Sequence, residues 1–226
     1  MIRQALVAMA TGAALAISAP AMAQNWNSEV SVTERGHLVG NPDAAIKLIT
    51  LVSYSCPACK RFEQQSEAEL KISYIHTGTT SVEIRPVIHS NIDLAAALLV
   101  SCGPVDRFLA NHQLFYATQD EWLAKARATT PAQRARWQSG YLAQQMRAVA
   151  ADLDFYELME ARGYSTTELD ACLGDERRAV AISSNAAADG VEFAFPGTPS
   201  FVVNGALLAD VYSWEALKPV LVPEQL

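Results

Sequence analysis

Apolar and polar positions follow two regimes along this chain. From Ala45 to Ser53 the residues are almost all apolar and rich in Ile, Leu and Val, the pattern of a central strand buried on both faces. Beyond Cys59, Phe62 and Leu70 stand among charged and amide residues, which predicts a helix covering that strand. Ser81 to His89, after Thr77-Gly78-Thr79, is again β-rich. It predicts the second strand of a right-handed β-α-β unit with parallel strands.

From Asn91 to about Asp189 the chain turns alanine- and leucine-rich. Gly103-Pro104, Thr130-Pro131, Arg162-Gly163 and Gly174-Asp175 punctuate it as helix boundaries. Val105, Phe108, Leu109, His112 and Phe115-Tyr116 recur at helical spacing, as do Trp137, Tyr141, Leu142, Met146 and Val149. Ser165-Thr166-Thr167-Glu168 has the spacing of a capping box. After Asp189-Gly190 a strand is expected over Pro199 to Asn204, a hairpin turn at Asn204-Gly205, and a return strand over Ala206 to Tyr212. Ser213 then caps a last helix through Trp214, Leu217, Val220 and Leu221. The predicted order is β-α-β, helices, β-β-α, an α/β class with an all-helical insertion.

The first residues depart from this picture. Arg3, the apolar run Ala5 to Ala16 and Ala21-Met22-Ala23 form a signal-peptide pattern over residues 1–23. Pro20 beside the cleavage site argues against an uncleaved membrane anchor. Residues 24–42 read as a polar lead-in ending in the turn cluster Gly40-Asn41-Pro42-Asp43. The formal net charge of −7 becomes −8 once Arg3 leaves with the leader. Without a basic stripe to neutralise phosphates, nucleic-acid binding is not expected. With 50% hydrophobic residues the chain has material for a sizeable core, one large domain or a small one carrying an insertion.

The chemistry concentrates in Cys56-Pro57-Ala58-Cys59, between the apolar run and the helix-like segment Lys60-Arg61-Phe62-Glu63. Two cysteines three apart in a first helical turn lie within disulfide reach, and the first sits at the positive end of the helix dipole. Cys56 is therefore expected to ionise and attack, and Cys59 to resolve. Cys102 and Cys172 are then left either to pair or to remain buried free thiols. Pairing them would close a loop of about 70 residues, worth roughly 4 kcal/mol, and an oxidising compartment favours it. A four-cysteine zinc site needs two close pairs, which this lone, distant pair does not supply. His37, His76, His89 and His112 are scattered and read as surface or core residues, without metal-ligand spacing.

Cys56-Pro57-Ala58-Cys59 after an apolar strand, the helical stretch, and Gly197-Thr198-Pro199-Ser200-Phe201-Val202-Val203-Asn204-Gly205 together resemble the DsbA-like thioredoxin superfamily. The resemblance covers essentially the whole chain after the leader. It implies a thioredoxin-like domain over 43–90 and 191–226, and an inserted helical unit over 91–190. It also implies a nucleophilic Cys56, a resolving Cys59, a cis-proline at Pro199, and Thr198 contacting substrate backbone near the Cys56 sulfur. X-Pro bonds adopt cis at modest cost, and a proline at a strand start leaves neighbouring backbone free to pair with a peptide.

Pro57, Ala58 and Glu63 are the expected tuning residues. Some relatives carry an acid at the position of Glu63. Strong oxidants of the family usually carry His where this chain has Ala58, so a weaker oxidant is expected. Thioredoxin-like chains often place a buried carboxylate where Thr50 stands. Phe193 and Phe195 are expected either in a substrate groove or in the core. No cofactor or metal is implied. The expected function is disulfide exchange with reduced or misoxidised exported proteins in the periplasm, in the oxidase direction. A DsbB-type membrane protein would reoxidise a monomer, since the lead-in is too short for the dimerisation domain of dedicated isomerases. An isomerase or reductase of the same fold, and a non-catalytic peptide-binding or chaperone module, are the alternatives.

Overall fold

The computed structural model describes residues 24–222, so the expected leader over 1–23 lies outside it. A mixed sheet orders its strands β1 (Val30–Val32), β2 (His37–Val39), β4 (Thr80–Pro86), β3 (Ile46–Val52), β5 (Ser200–Val203) and β6 (Ala206–Leu207). β3 lies parallel to β4 and antiparallel to β5, so Thr50 sits between Ile84 and Phe201. Its apolar residues are buried or nearly so, and Lys47 alone is exposed.

The polar lead-in proves to be structured. β1 and β2 form a hairpin whose second strand pairs antiparallel with β4. Three-residue strands are too short for alternation to register in sequence, yet His37 and Val39 are buried against the sheet.

α1 (Pro57–Glu69) crosses one face, burying Cys59, Phe62 and Ser66, and continues as a π-helical stretch, Leu70–Ile75. The helical unit comprises α2 (Asn91–Val100), α3 (Phe108–Ala117), α4 (Gln119–Ala128), α5 (Pro131–Arg136), α6 (Leu142–Asp152), α7 (Phe155–Glu160), α8 (Thr166–Leu173) and α9 (Glu176–Phe193). Capping boxes open α5 at Thr130, where a helix boundary is expected, and α8 at Ser165, as the spacing predicts. Its core runs continuously into that of the sheet through Leu98, Phe115, Tyr116, Met146 and Phe155.

Four boundaries differ from expectation. Trp137 and Met146 do not share a helix, because Gly140 at φ +84 breaks the chain and Tyr141 is left 77% exposed at the start of α6. Val105 lies in a short 3-10 turn before α3 and is exposed. α9 runs through Asp189-Gly190 to Phe193, held by the buried Asp189 carboxylate, which accepts from Arg35 and Arg85 at 2.8 Å each. The helix stops at Ala194, φ 47. The turn Asn204-Gly205 forms as expected, but the return strand is only two residues long before the chain bends at Asp210. Ser213 caps α10 (Trp214–Leu217), accepting from the Ala216 N–H at 3.3 Å, and a 3-10 turn carries on to Leu221.

Candidate active site

β3 delivers the chain to the centre of the sheet edge, where Ser53–Ser55 turn it into α1. Cys56 is the N-cap of α1 in extended conformation, φ −86 and ψ 116, and Pro57 occupies the first turn. Proline suits that position because its missing N–H would have no helical partner. Cys56 is half-buried, Cys59 is fully buried, and their sulfurs are unbonded.

Three residues of the helical unit hold the turn from behind. Asp93, fully buried at the start of α2, accepts from Ser53 Oγ at 2.8 Å and the Ser55 N–H at 2.9 Å through one oxygen. Its other oxygen accepts from the N–H groups of His89 and Ser90 and from Ser90 Oγ, at 3.1–3.2 Å. Tyr116 of α3 donates to the Ser53 carbonyl at 3.1 Å. Gln119 of α4 donates to the carbonyls of Tyr54 and Cys56, at 2.6 and 3.0 Å.

Facing the dithiol is the loop before β5. The Thr198-Pro199 peptide is cis, and the Thr198 carbonyl oxygen lies 3.1 Å from Cys56 Sγ, accepting from the thiol. Ser200 Oγ donates to the Gly197 carbonyl at 2.7 Å and closes this loop.

The two thiols are driven apart electrostatically. Cys56 is lowered from an ordinary 9.0 to about 5, chiefly by the hydrogen bond from the Cys59 thiol, with help from the Thr198 side chain and the backbone N–H groups of Cys59 and Ala58, against the cost of partial burial. Burial pushes Cys59 far upward, and donation to Cys56 and its negative charge push the same way. Ala58 therefore contributes an N–H but no side-chain donor.

Glu63 stands one turn beyond Cys59 and faces His112 of α3, with 3.3 Å from its Oε1 to His112 Nε2. His112 is buried, and its Nδ1 shares a 2.9 Å hydrogen bond with the Tyr54 hydroxyl. Sequence spacing marked His112 only as part of a helical repeat. The capping pattern Ser90-x-x-Asp93 was the one legible trace of Asp93, and it announces a cap rather than an anchor for the Cys56 turn. Phe193 and Phe195 pack, partly buried, against Leu51, Val87 and Val202. Both stay partly exposed where they pack on this second core cluster.

Away from this site, Cys102 and Cys172 are disulfide-bonded with Cα atoms 5.7 Å apart, joining the end of α2 to α8. Among the described residues no helix is long and apolar enough to cross a membrane.

A helix-capping dithiol opposite a cis-proline loop, on a mixed sheet with a helical insertion, defines the thioredoxin class of fold. The chain belongs to the thioredoxin family, whose model matches residues 32–221. A crystal structure of a protein-disulfide isomerase from Novosphingobium aromaticivorans superposes with TM-score 0.80 at 37% identity, covering 83% of this chain and 96% of that one. Wolbachia pipientis alpha-DsbA1, at 18% identity, TM-score 0.63 and 81% and 87% coverage, shares the fold. A Rickettsia bellii chain named for protein-disulfide oxidoreductase activity is 26% identical over 175 residues, 77% of this chain and 59% of that relative. The chain thus spans about three-fifths of the length of the curated relatives it matches.

Proposed function

We propose that this protein exchanges disulfides with protein substrates through Cys56 and Cys59, acting as a thiol-disulfide oxidase. The observation that carries the reading is the division between the two thiols at one helix start: a half-exposed Cys56 lowered to about 5, and a buried Cys59 held protonated. Names among the relatives, protein-disulfide isomerase at 37% identity and protein-disulfide oxidoreductase at 26%, support exchange chemistry.

In the oxidising direction a substrate thiolate attacks Cys56 Sγ of the bonded pair. The Cys56–Cys59 bond breaks, Cys59 leaves as thiolate and takes a proton, and a mixed disulfide through Cys56 forms. A second substrate thiolate then attacks the substrate sulfur, and Cys56 leaves as a stabilised thiolate. Lowering the Cys56 thiol stabilises the reduced enzyme and so favours this direction. The Thr198-Pro199 loop lies where a substrate backbone can run beside Cys56. Substrates are exported proteins of the periplasm, consistent with the leader pattern over residues 1–23. A membrane protein of the DsbB type reoxidises the pair, and the protein works as a monomer.

The isomerase reading is favoured by one observation, the name of the 37%-identical relative. Equilibration of the Cys56/Cys59 pair with glutathione buffers decides between them. A potential near about −120 mV supports the oxidase, one near about −180 mV would overturn it in favour of the isomerase, and one near about −270 mV in favour of a reductant.

A further inference from the structure

Arg178 carries a charge that no partner in the fold takes up. It stands half-buried in the first turn of α9, and its guanidinium makes no hydrogen bond or ion pair among the described residues. Arg61, Arg127, Arg162 and Arg177 are also unpaired, but all four are exposed and hydrated. A guanidinium stays charged at any working pH, so drawing Arg178 partly out of water without an acceptor costs stability. Burial accordingly pulls its pKa below the ordinary value.

Arg178 lines a cavity of about 380 Å³ between the β1–β2 hairpin, β4, α2, α3 and α9. That volume lies within the range of small-molecule pockets, about 300–1,000 Å³. His37 lines it too, buried and stacked face to face on Phe108 at 3.7 Å. Neither nitrogen of the His37 ring has a hydrogen-bond partner among the described residues. Burial, and then the charges of Arg178 and His112, lower His37 to about 4. The ring is therefore neutral at pH 7, with one N–H to donate. Two buried or half-buried donors without acceptors thus meet at one cavity.

The rest of the lining narrows the ligand. Val32, Ile84, Phe108 and Ile182 supply apolar wall. Arg35 also lines the cavity but is held by Asp189 and Glu192. Glu34 and Asp175, the acids of the lining, are exposed. Asp175 caps α9 by accepting from the Arg178 backbone N–H at 3.0 Å, and its charge only partly offsets the burial of the Arg178 side chain.

We propose that this cavity binds a small carboxylate with an apolar body, the carboxylate on Arg178 beside the His37 N–H and the body against Phe108 and Ile182. A guanidinium fork matches a carboxylate with two parallel hydrogen bonds. One free guanidinium with two acids nearby suits a single negative charge better than a multiply charged anion. The apolar wall adds affinity in proportion to the area it buries. Cys56 and Cys59 do not line the cavity, so the site stands apart from the exchange reading and does not depend on it.

The test titrates the isotope-labelled full chain with sodium benzoate and follows backbone amides by NMR. The amides of His37, Ile182 and Asn185 should shift saturably, with Kd of about 1 mM or tighter. Benzamide has the same ring without the charge and should bind at least about tenfold more weakly, as should inorganic phosphate, which has no apolar body. Arg178→Gln should lose at least about tenfold in benzoate affinity, whereas Arg177→Gln, which removes the same charge from the exposed neighbour, should stay within about twofold of wild type. Arg178→Lys, keeping the charge without the fork, should fall between them. The ligand series on the wild-type chain needs no variant to fold. No saturable shift up to about 10 mM benzoate, equal binding of benzamide or phosphate, or equal losses in the Arg177→Gln and Arg178→Gln variants overturns the proposal.

Discussion

The Cys56 sulfur lies 3.1 Å from the carbonyl oxygen of Thr198, so the two halves of the site come from segments 142 residues apart in sequence. A carbonyl accepts only from the protonated thiol. The thiolate is instead served by the Cys59 thiol, the Thr198 side chain and the N–H groups of Ala58 and Cys59. Protonation of Cys56 thus exchanges one set of partners for another, and that exchange governs its reactivity.

Alkylation of Cys56 by iodoacetamide should follow a titration with midpoint about 5. Stability of the reduced protein carries the same signature. A thiol lowered from 9.0 to about 5 on folding binds fewer protons in the folded state across that window, so its contribution is complete above the unfolded value and is lost as pH falls through about 5. An alkylation midpoint near 9 would contradict the assignment of Cys56 as the attacking thiol.

Asp93→Asn should cost at least about 2 kcal/mol in urea unfolding, because a buried carboxylate with donors from Ser53, Ser55, His89 and Ser90 is replaced by an amide that must present its own N–H groups to some of them. The Cys56 midpoint should move as well, since Ser53 and Ser55 set the turn into α1. Loss of stability with an unmoved midpoint would make Asp93 a helix cap only.

Replacing Cys102 and Cys172 with serine should lower stability by about 3–4 kcal/mol, from the loop they close, while Cys56 and Cys59 keep their exchange activity. The bridge lies within the helical unit and touches neither thiol. Urea midpoints of the oxidised and variant proteins measure the effect.

Asp189→Asn should destabilise by about 1.5–3 kcal/mol, since it removes the buried carboxylate that accepts from both Arg35 and Arg85 while Glu192 and Glu83 still face them. The loss should appear first as faster hydrogen exchange in α9 and in the β1–β2 hairpin, which this carboxylate ties together.

Much of this architecture was legible from local pattern. The long apolar run of β3, the Cys56–Cys59 spacing, the Asn204-Gly205 turn and the cap at Ser165 each carry their own signal within a few residues. What was missed depends on distance. β1 and β2 are too short to show a period, and they are strands because β4 offers an edge. His112 reads as one more residue in a helical repeat, and only the packing of α3 against α1 brings it to Glu63. Gly190 looked like a boundary, yet α9 continues through it because Asp189 is anchored to two arginines.

The central claim is that Cys56 attacks and Cys59 resolves. Trapping measures this most directly: a disulfide-bonded peptide is offered to reduced Cys59→Ser and to reduced Cys56→Ser, and adducts are identified by mass spectrometry. Cys59→Ser should accumulate a stable mixed disulfide at Cys56, and Cys56→Ser should form essentially none because its remaining thiol is buried and protonated. Equal adduct formation by the two variants, or none by Cys59→Ser, would contradict it.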